Sequence, residues 1–485
     1  MECHFAGTQS WKQGQNKIIK KIIMKKLIKN GKIVTSDKII EGDILIENGK
    51  IKDLIPKFFD GKQQTAKNLV SSSLETIDAQ GKYILPGLVE VHGHLREPGF
   101  EQKEDIPHGT RAGIAGGFTT VIDMPNTKPP TTTVALLQDK INKIYPGRSY
   151  IDYAFFMGVA SDKLNELTKV NPKDIVGIKV FMAGHETTPT TVPDDVTLGK
   201  IIEILAKRNI LLAVHAEDQW LINYYNSEFK KTGRSDAALW SEIRPTIVVA
   251  SAAARAIALA SSYKNFRLYL LHLSTPEEFA LVVAAKSRGQ IVYGELVGYQ
   301  LAFNINDYKK LGNKIKVGPA LRSPEDQKTN WQLFKDRKID VVCSEHTPHE
   351  WETKNQPNMW KAQAGTPGIQ ETLPSLITGW IKHFGNKNIE DCLMRISQYC
   401  SLRPAEIFGF KSKGSIEVGK DADLVILDPN TQWTVKKVDL FSKCGWSAYE
   451  GMNLNGRPEK VFLRGELVYN NGKIIGKANG KWINH

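Results

Sequence analysis

The sequence predicts a (β/α)8 barrel of the TIM type, with a small β-sandwich built jointly by the two ends of the chain. Eight strand-length runs of β-branched and aromatic residues carry the barrel: GLVEVHGHL, TTVIDMPN, IDYAFFMGV, GIKVFMA, LLAVHAE, LYLLHLS, QIVYGEL and DVVCSEHTPH, with longer and mostly helical stretches between them. Five of the runs end in residues suited to a metal centre: His92 and His94 on the first, Lys179 on the fourth, His215 on the fifth, His272 on the sixth and Glu345 on the eighth. In a barrel of this kind the carboxyl ends of the strands form the reactive rim. The sandwich rests on a third observation. Short alternating strands with Asn-Gly turns at 30–31, 48–49 and 471–472 occupy both flanks, and Asn-Gly between such strands is a hairpin signal.

In chain order, residues 1–23 read as a disordered arm or the product of an upstream start codon. They lack the apolar core of a secretory signal and hold lysine without arginine. Met24 opens the first clear strand pattern, KKLIKNGKIV. Residues 24–82 and 412–478 are assigned to the composite sandwich and residues 83–411 to the barrel. At 485 residues the chain can hold both modules, and 41% hydrophobic with 24% charged residues is ordinary for a globular protein.

The net charge of +13 raises the question of nucleic acid. Seven lysines against Glu2 place +6 of it within residues 1–30, and the remainder is spread without aromatic interleaving. A solvated lysine-rich surface is the expectation, with no nucleic-acid partner and at most a mild preference for an anionic substrate. No run approaches the ~18 apolar residues of a membrane span. Five cysteines without CxxC spacing fit a reducing, cytoplasmic setting.

Alternation along a strand turns His92 and His94 to the same side, where two imidazoles can converge on one ion. His215 and His272 can supply a second. Lys179 is the odd member, since a protonated amine binds no cation. Buried beside two metal ions it would become neutral, could take up carbon dioxide, and as a carbamate could bridge ions about 3.5–4 Å apart. The competing reading is a rim lysine paired with a nearby acid.

HGHLREPGFEQKED, GGFTTVIDMPNTKPP, GIKVFMA, VHAED, LHLS and SEHTPH, in this order and spacing, resemble the dihydroorotase branch of the cyclic amidohydrolases over nearly the whole chain from Met24 to about residue 475. The resemblance implies a barrel with a composite β-domain and two zinc ions bridged by carboxylated Lys179. His92, His94, His215 and His272 would be ligands. Glu345 stands where the family has an aspartate that binds metal and shuttles the proton. Arg96, Asn126 and His349 correspond to substrate contacts that favour a ring bearing a carboxylate, and Pro367 and Gly368 match a substrate loop. The implied reaction is reversible hydrolysis of the cyclic amide of dihydroorotate to N-carbamoyl-aspartate, a step of pyrimidine synthesis. We expect a homo-oligomer acting on a small anionic cyclic amide.

Several positions depart from the family pattern. Strand eight reads SEH rather than SDH. Strand seven reads Glu295-Leu-Val-Gly-Tyr-Gln-Leu rather than a sequence close to EVTPHHL. The loop Lys316-Val-Gly-Pro-Ala-Leu-Arg322 places Gly318 where relatives contact substrate. Two alternatives follow: a related cyclic amidohydrolase of the allantoinase, hydantoinase or dihydropyrimidinase kind, and a noncatalytic scaffold, for instance for a transcarbamoylase.

Overall fold

The computed structural model describes residues 25–59, 62–63, 74–184 and 190–484; the N-terminal arm expected over 1–23 lies outside them. Its centre is an eight-stranded parallel sheet in which each strand pairs with the next in sequence. We label these strands β1 (Leu88–Gly93), β2 (Phe118–Asp123), β3 (Asp152–Gly158), β4 (Gly177–Phe181), β5 (Leu212–His215), β6 (Arg267–Leu273), β7 (Ile291–Val297) and β8 (Val341–Cys343). The eighth strand returns to the first: the Ser344 N–H donates to Glu90 Oε2 at 2.9 Å, and the His94 N–H donates to the His346 carbonyl at 3.0 Å. All eight runs anticipated from sequence are strands of this barrel.

The strands are buried along nearly their whole length, as a parallel sheet with both faces covered requires. Successive residues feed two separate apolar layers. Leu212, Val214, Leu268 and Leu270 pack in one, whereas Ala213, Tyr269 and Leu271 pack in the other. The connecting helices start where their caps dictate. Thr275 and Glu278 form a reciprocal capping box at the helix Pro276–Ser287, and Ser323 with Asp326 does the same for Pro324–Lys335. Among the described residues, no helix is long and apolar enough to cross a membrane.

A second, nine-stranded sheet draws strands from both ends of the chain. Its order runs 473–474, 466–470, 458–463, 424–427, 83–86, 25–34, 39–47 and 50–56, with 75–78 paired to 25–34. Two of the Asn-Gly pairs form the expected tight hairpins. Asn48-Gly49 and Asn471-Gly472 have φ of 52°/80° and 46°/88°, the left-handed pair that a two-residue turn needs. The third does not. Asn30-Gly31 lies inside strand 25–34 as a bulge between Ile28 and Gly31, where a Cβ on residue 31 would come within 2.2 Å of Ile84. Tyr83–Pro86, assigned from sequence to the barrel, pairs with strand 424–427 in this second sheet, because YILP runs into GLVEVH with only Gly87 to mark the change.

The two modules meet at the amino-terminal end of β3. Lys413 Nζ is 2.5 Å from Asp152, 2.6 Å from Asp423 and 3.1 Å from Asp421, and Arg464 also donates to Asp152. Three carboxylates within reach of one another could hold a metal ion; here the Lys413 ammonium lies among them. Burial alone would lower its pKa, but the three carboxylates outweigh that and hold it above the ordinary lysine value.

Candidate metal centre

Five strands deliver the site. His92 lies within β1 and His94 just beyond it. Lys179 is central in β4, His215 closes β5, His272 is next to last in β6, and Glu345 follows β8 by two residues. All are at most 6% exposed. The imidazoles crowd together: ring centroids are 5.2 Å apart for His92–His94, 5.3 Å for His92–His272 and 4.5 Å for His215–His272. One nitrogen each of His92 and His272 and one oxygen of Glu345 lie within 4.8 Å of one another. They enclose a cavity of about 20 Å³, the scale of a single water, whose wall also includes Arg96, Asn126, Phe181, Gly318, Thr347, Ala364 and Gly365.

Second partners orient these rings. His92 Nδ1 is 2.8 Å from Glu295 Oε1, which turns Nε2 toward Glu345 Oε1 at 3.9 Å. His94 Nδ1 is 2.6 Å from Asn126 Oδ1, so Nε2 is the nitrogen left for a ligand. His215 uses Nε2 on Glu217 at 2.9 Å and turns Nδ1 to His272 Nε2 at 2.8 Å. A carboxylate or amide behind His92, His94 and His215 is the arrangement that fixes the tautomer of a metal-binding histidine, whereas the His272 ring is hydrogen-bonded only to His215 among the described residues.

Three site residues also hold uncommon backbone. Arg96, His272 and Glu345 have φ of 65°, 41° and 45°. Left-handed conformations in residues other than glycine cost of order 1–3 kcal/mol each and persist where the surroundings impose them.

The electrostatics fit a cation. Burial pushes His92, His94 and His272 well below the ordinary histidine value and lowers His215, so all four are neutral lone-pair donors. Burial likewise lowers Lys179 to about 7, against weak opposition from Glu295 and Glu345. Among the described residues its Nζ has no hydrogen-bond partner, and it lies over the Phe181 ring, 4.5 Å from the centroid. Among the described residues, the acid partner that the competing reading requires is not within ion-pair distance. Burial raises Glu345 well above the usual carboxylate range and raises Glu295 to about 7. Neutral imidazoles, a lysine poised near neutrality and carboxyl groups raised by burial suit a dication and a carbamylated amine.

The residues expected to bind substrate divide into two groups. Arg96 and Asn126 line the cavity. His349 stands behind Arg96, fully buried, with Nε2 3.2 Å from Arg96 Nη2 and 2.9 Å from the Ala364 carbonyl, and with Lys103 Nζ 3.5 Å from Nδ1. Pro367 and Gly368 do not reach the cavity wall. The Gly368 N–H faces His346 Nδ1 at 3.3 Å, and Ala364 and Gly365 of the same loop line the cavity instead. Sequence reasoning missed Glu217 as a support; its signal was its place two residues after His215. It also missed Glu295 and Tyr299, which it had treated only as departures from a motif. Glu295 accepts from Tyr269 and from the His272 N–H besides facing His92. The Tyr299 hydroxyl donates to Glu345 Oε2.

Comparison with known proteins converges on one family. The Amidohydrolase family model matches residues 83–252 and 374–468. The structure of L-hydantoinase (dihydropyrimidinase) from Arthrobacter aurescens superposes with a TM-score of 0.87 at 29% identity, covering 95% of this chain and 99% of that one. The dihydroorotase of Pyrococcus horikoshii is 33% identical over 94% of this chain and 95% of its own length. The allantoinase of Rubrobacter xylanophilus is 30% identical over 86% and 90%.

Proposed function

The chain belongs to the amidohydrolase family of metal-dependent hydrolases, and on that premise we propose that it opens the cyclic amide of dihydroorotate to N-carbamoyl-aspartate, reversibly. The observation that carries this reading is Arg96. The residue is 2% exposed and lines the cavity; its Nε donates to the Pro348 carbonyl at 3.1 Å, while Nη1 has no hydrogen-bond partner among the described residues. A buried cationic donor aimed into a reactive cavity calls for an anionic acceptor, and a ring carboxylate supplies one. Asn126 stands beside it, held by His94.

His92, His94, His215, His272, Glu345 and carboxylated Lys179 would hold two divalent ions, zinc by preference for imidazole ligands. When bound, such ions acidify a water to a nucleophile near neutral pH and polarise the ring carbonyl. Burial raises Glu345 toward protonation in the metal-free chain; beside bound dications it would be held ionised, and it would then be the side chain that takes up a proton and delivers it to the departing ring nitrogen. Arg96 and Asn126 fix the ring through its carboxylate, which sets the scissile carbonyl against the centre.

Relatives named hydantoinase and allantoinase support a second reading, an uncharged ring. One wall favours it: a Cβ at Gly318 would meet nothing nearer than Glu217 Oε2 at 3.9 Å, which leaves that side open. A substrate panel on zinc-loaded protein, with metal content measured on the same preparation, separates the readings. We expect dihydroorotate turnover, and an Arg96→Met variant whose loss falls mainly on KM. Turnover of allantoin, hydantoin or dihydrouracil with none of dihydroorotate would reject the carboxylate reading. Failure to hold zinc at all would favour a noncatalytic scaffold.

A further inference from the structure

Three departures that look independent in the sequence meet at one place. Gly298 and Tyr299 follow β7, and Glu345 follows β8, 46 residues away. A Cβ on Gly298 would lie 3.2 Å from Thr372 Cγ2, a tight contact, and 3.6 Å from the Cys343 carbonyl, an ordinary one. The next residue, Tyr299, is 3% exposed, and its hydroxyl donates to Glu345 Oε2. The other oxygen, Oε1, is left facing His92 Nε2 at 3.9 Å.

We propose that Tyr299 is a positioning residue for Glu345: its hydroxyl holds one carboxylate oxygen so that the other is presented alone to the metal centre. A glutamate has one more torsion than an aspartate, and an unanchored carboxylate at this depth would sample several rotamers. A phenol fixed in a packed wall removes that freedom at the cost of one oxygen. The longer acid at 345 and the tyrosine at 299 then form one compensated unit, an adapted base in place of a damaged one. The inference rests on the hydrolase reading for its consequence in turnover, but its direct readout is metal affinity.

The test is a double-mutant cycle on the zinc-loaded full chain with Tyr299→Phe, Glu345→Asp and both together. Zinc affinity is read by competition with a chelator, alongside kcat and KM for dihydroorotate. Outer partners of metal ligands commonly contribute 10–100-fold, so Tyr299→Phe should weaken zinc and lower kcat by about that factor, with KM little changed. In the Glu345→Asp background, where the shorter acid no longer reaches the phenol, Tyr299→Phe should change zinc affinity less than about twofold. Equal losses in both backgrounds would mean plain packing damage and overturn the proposal, as would no loss in either. Should Tyr299→Phe fail to fold, the near-ultraviolet difference spectrum of Glu345→Asp decides: release of the phenol shifts the tyrosine band, and an unshifted band overturns the proposal. Coupling in zinc affinity without dihydroorotate turnover would reject the substrate reading and leave Tyr299 in place. Turnover without coupling would do the reverse.

Discussion

Lys413 and Lys179 are both buried lysines, 4% and 1% exposed, and their surroundings drive them in opposite directions. Lys413 sits among three carboxylates at 2.5–3.1 Å and is held charged above its ordinary pKa. Lys179 sits among imidazoles with no hydrogen-bond partner among the described residues and falls to about 7. The first cluster is complete in itself, because the chain supplies every counter-charge. The second is a set of ligands that the described residues leave without a hydrogen-bonded counter-charge at Lys179, which fits a site finished by something bound. Lys413 belongs to the amino-terminal end of the barrel and the joint with the second sheet, Lys179 to the reactive rim. Barrels divide stability and chemistry between their two ends in this way.

Removing each lysine separates the two roles, and the rim should show the larger effect. Lys179→Ala removes the bridging group, so zinc content should fall to well under half. Turnover should drop by at least about three powers of ten, some 4 kcal/mol of transition-state stabilisation. Stability of the metal-free protein should not fall, since the amine makes no hydrogen bond there. Metal analysis and a steady-state assay check this. Partial recovery of turnover on adding a short carboxylic acid would identify the lost group as a carboxylate, and full activity in Lys179→Ala would eliminate the bridge.

The same contrast explains what the sequence could show. The rim was legible because its chemistry is local: HGH on an alternating strand, a histidine at or next to the end of each of two others, and a lysine within a fourth all belong to runs that hydrophobic pattern marks. The Lys413 cluster was not, because Asp152, Lys413, Asp423 and Arg464 are scattered over more than 300 positions and only the docking of the C-terminal segment on the barrel assembles them. Tyr299 was hidden for the same reason, being 46 residues from its acceptor. Asn30-Gly31 misled by obeying a sound local rule, since the signal for a tight turn is also compatible with a bulge. Ala364 and Gly365, on the same loop as Pro367 and Gly368, line the cavity and carried no motif of their own.

At the structural joint the effect should appear in stability alone. Lys413→Met leaves Asp152 and Asp423 buried with their main counter-charge gone, and breaking a buried pair from one side costs about 3–5 kcal/mol. Denaturant titration of the metal-free protein should show that loss in the midpoint. Turnover per folded molecule should stay within about twofold of wild type. A stable Lys413→Met would mean that Arg464 suffices to neutralise the aspartates, and the joint would then be less dependent on the lysine than its geometry implies.

The smallest effect is a slope, and its sign differs for the two lysines. In the metal-free protein Lys179 has a folded pKa of about 7 against 10.5 for an ordinary lysine. Between those values the unfolded chain holds one more proton than the native state, so stability rises with pH, by at most about 1.4 kcal/mol per unit. Lys413 behaves in the opposite sense. Its folded pKa lies above 10.5, so its contribution is complete below that value and is lost only as pH rises through the folded pKa. Over the window from about 7 to about 10.5, Lys179 is therefore the one of the two that titrates. Unfolding free energies at several pH values from about 7.5 to about 9.5 should climb in metal-free wild type and in Lys413→Met, and should be flatter in Lys179→Met. Saturating zinc should abolish the climb in wild type if the bound form has already committed Lys179 as a carbamate. A Lys179→Met slope equal to that of metal-free wild type would show that the rim lysine is not the neutral amine its burial demands, and the contrast between the two ends of the barrel would lose its electrostatic basis.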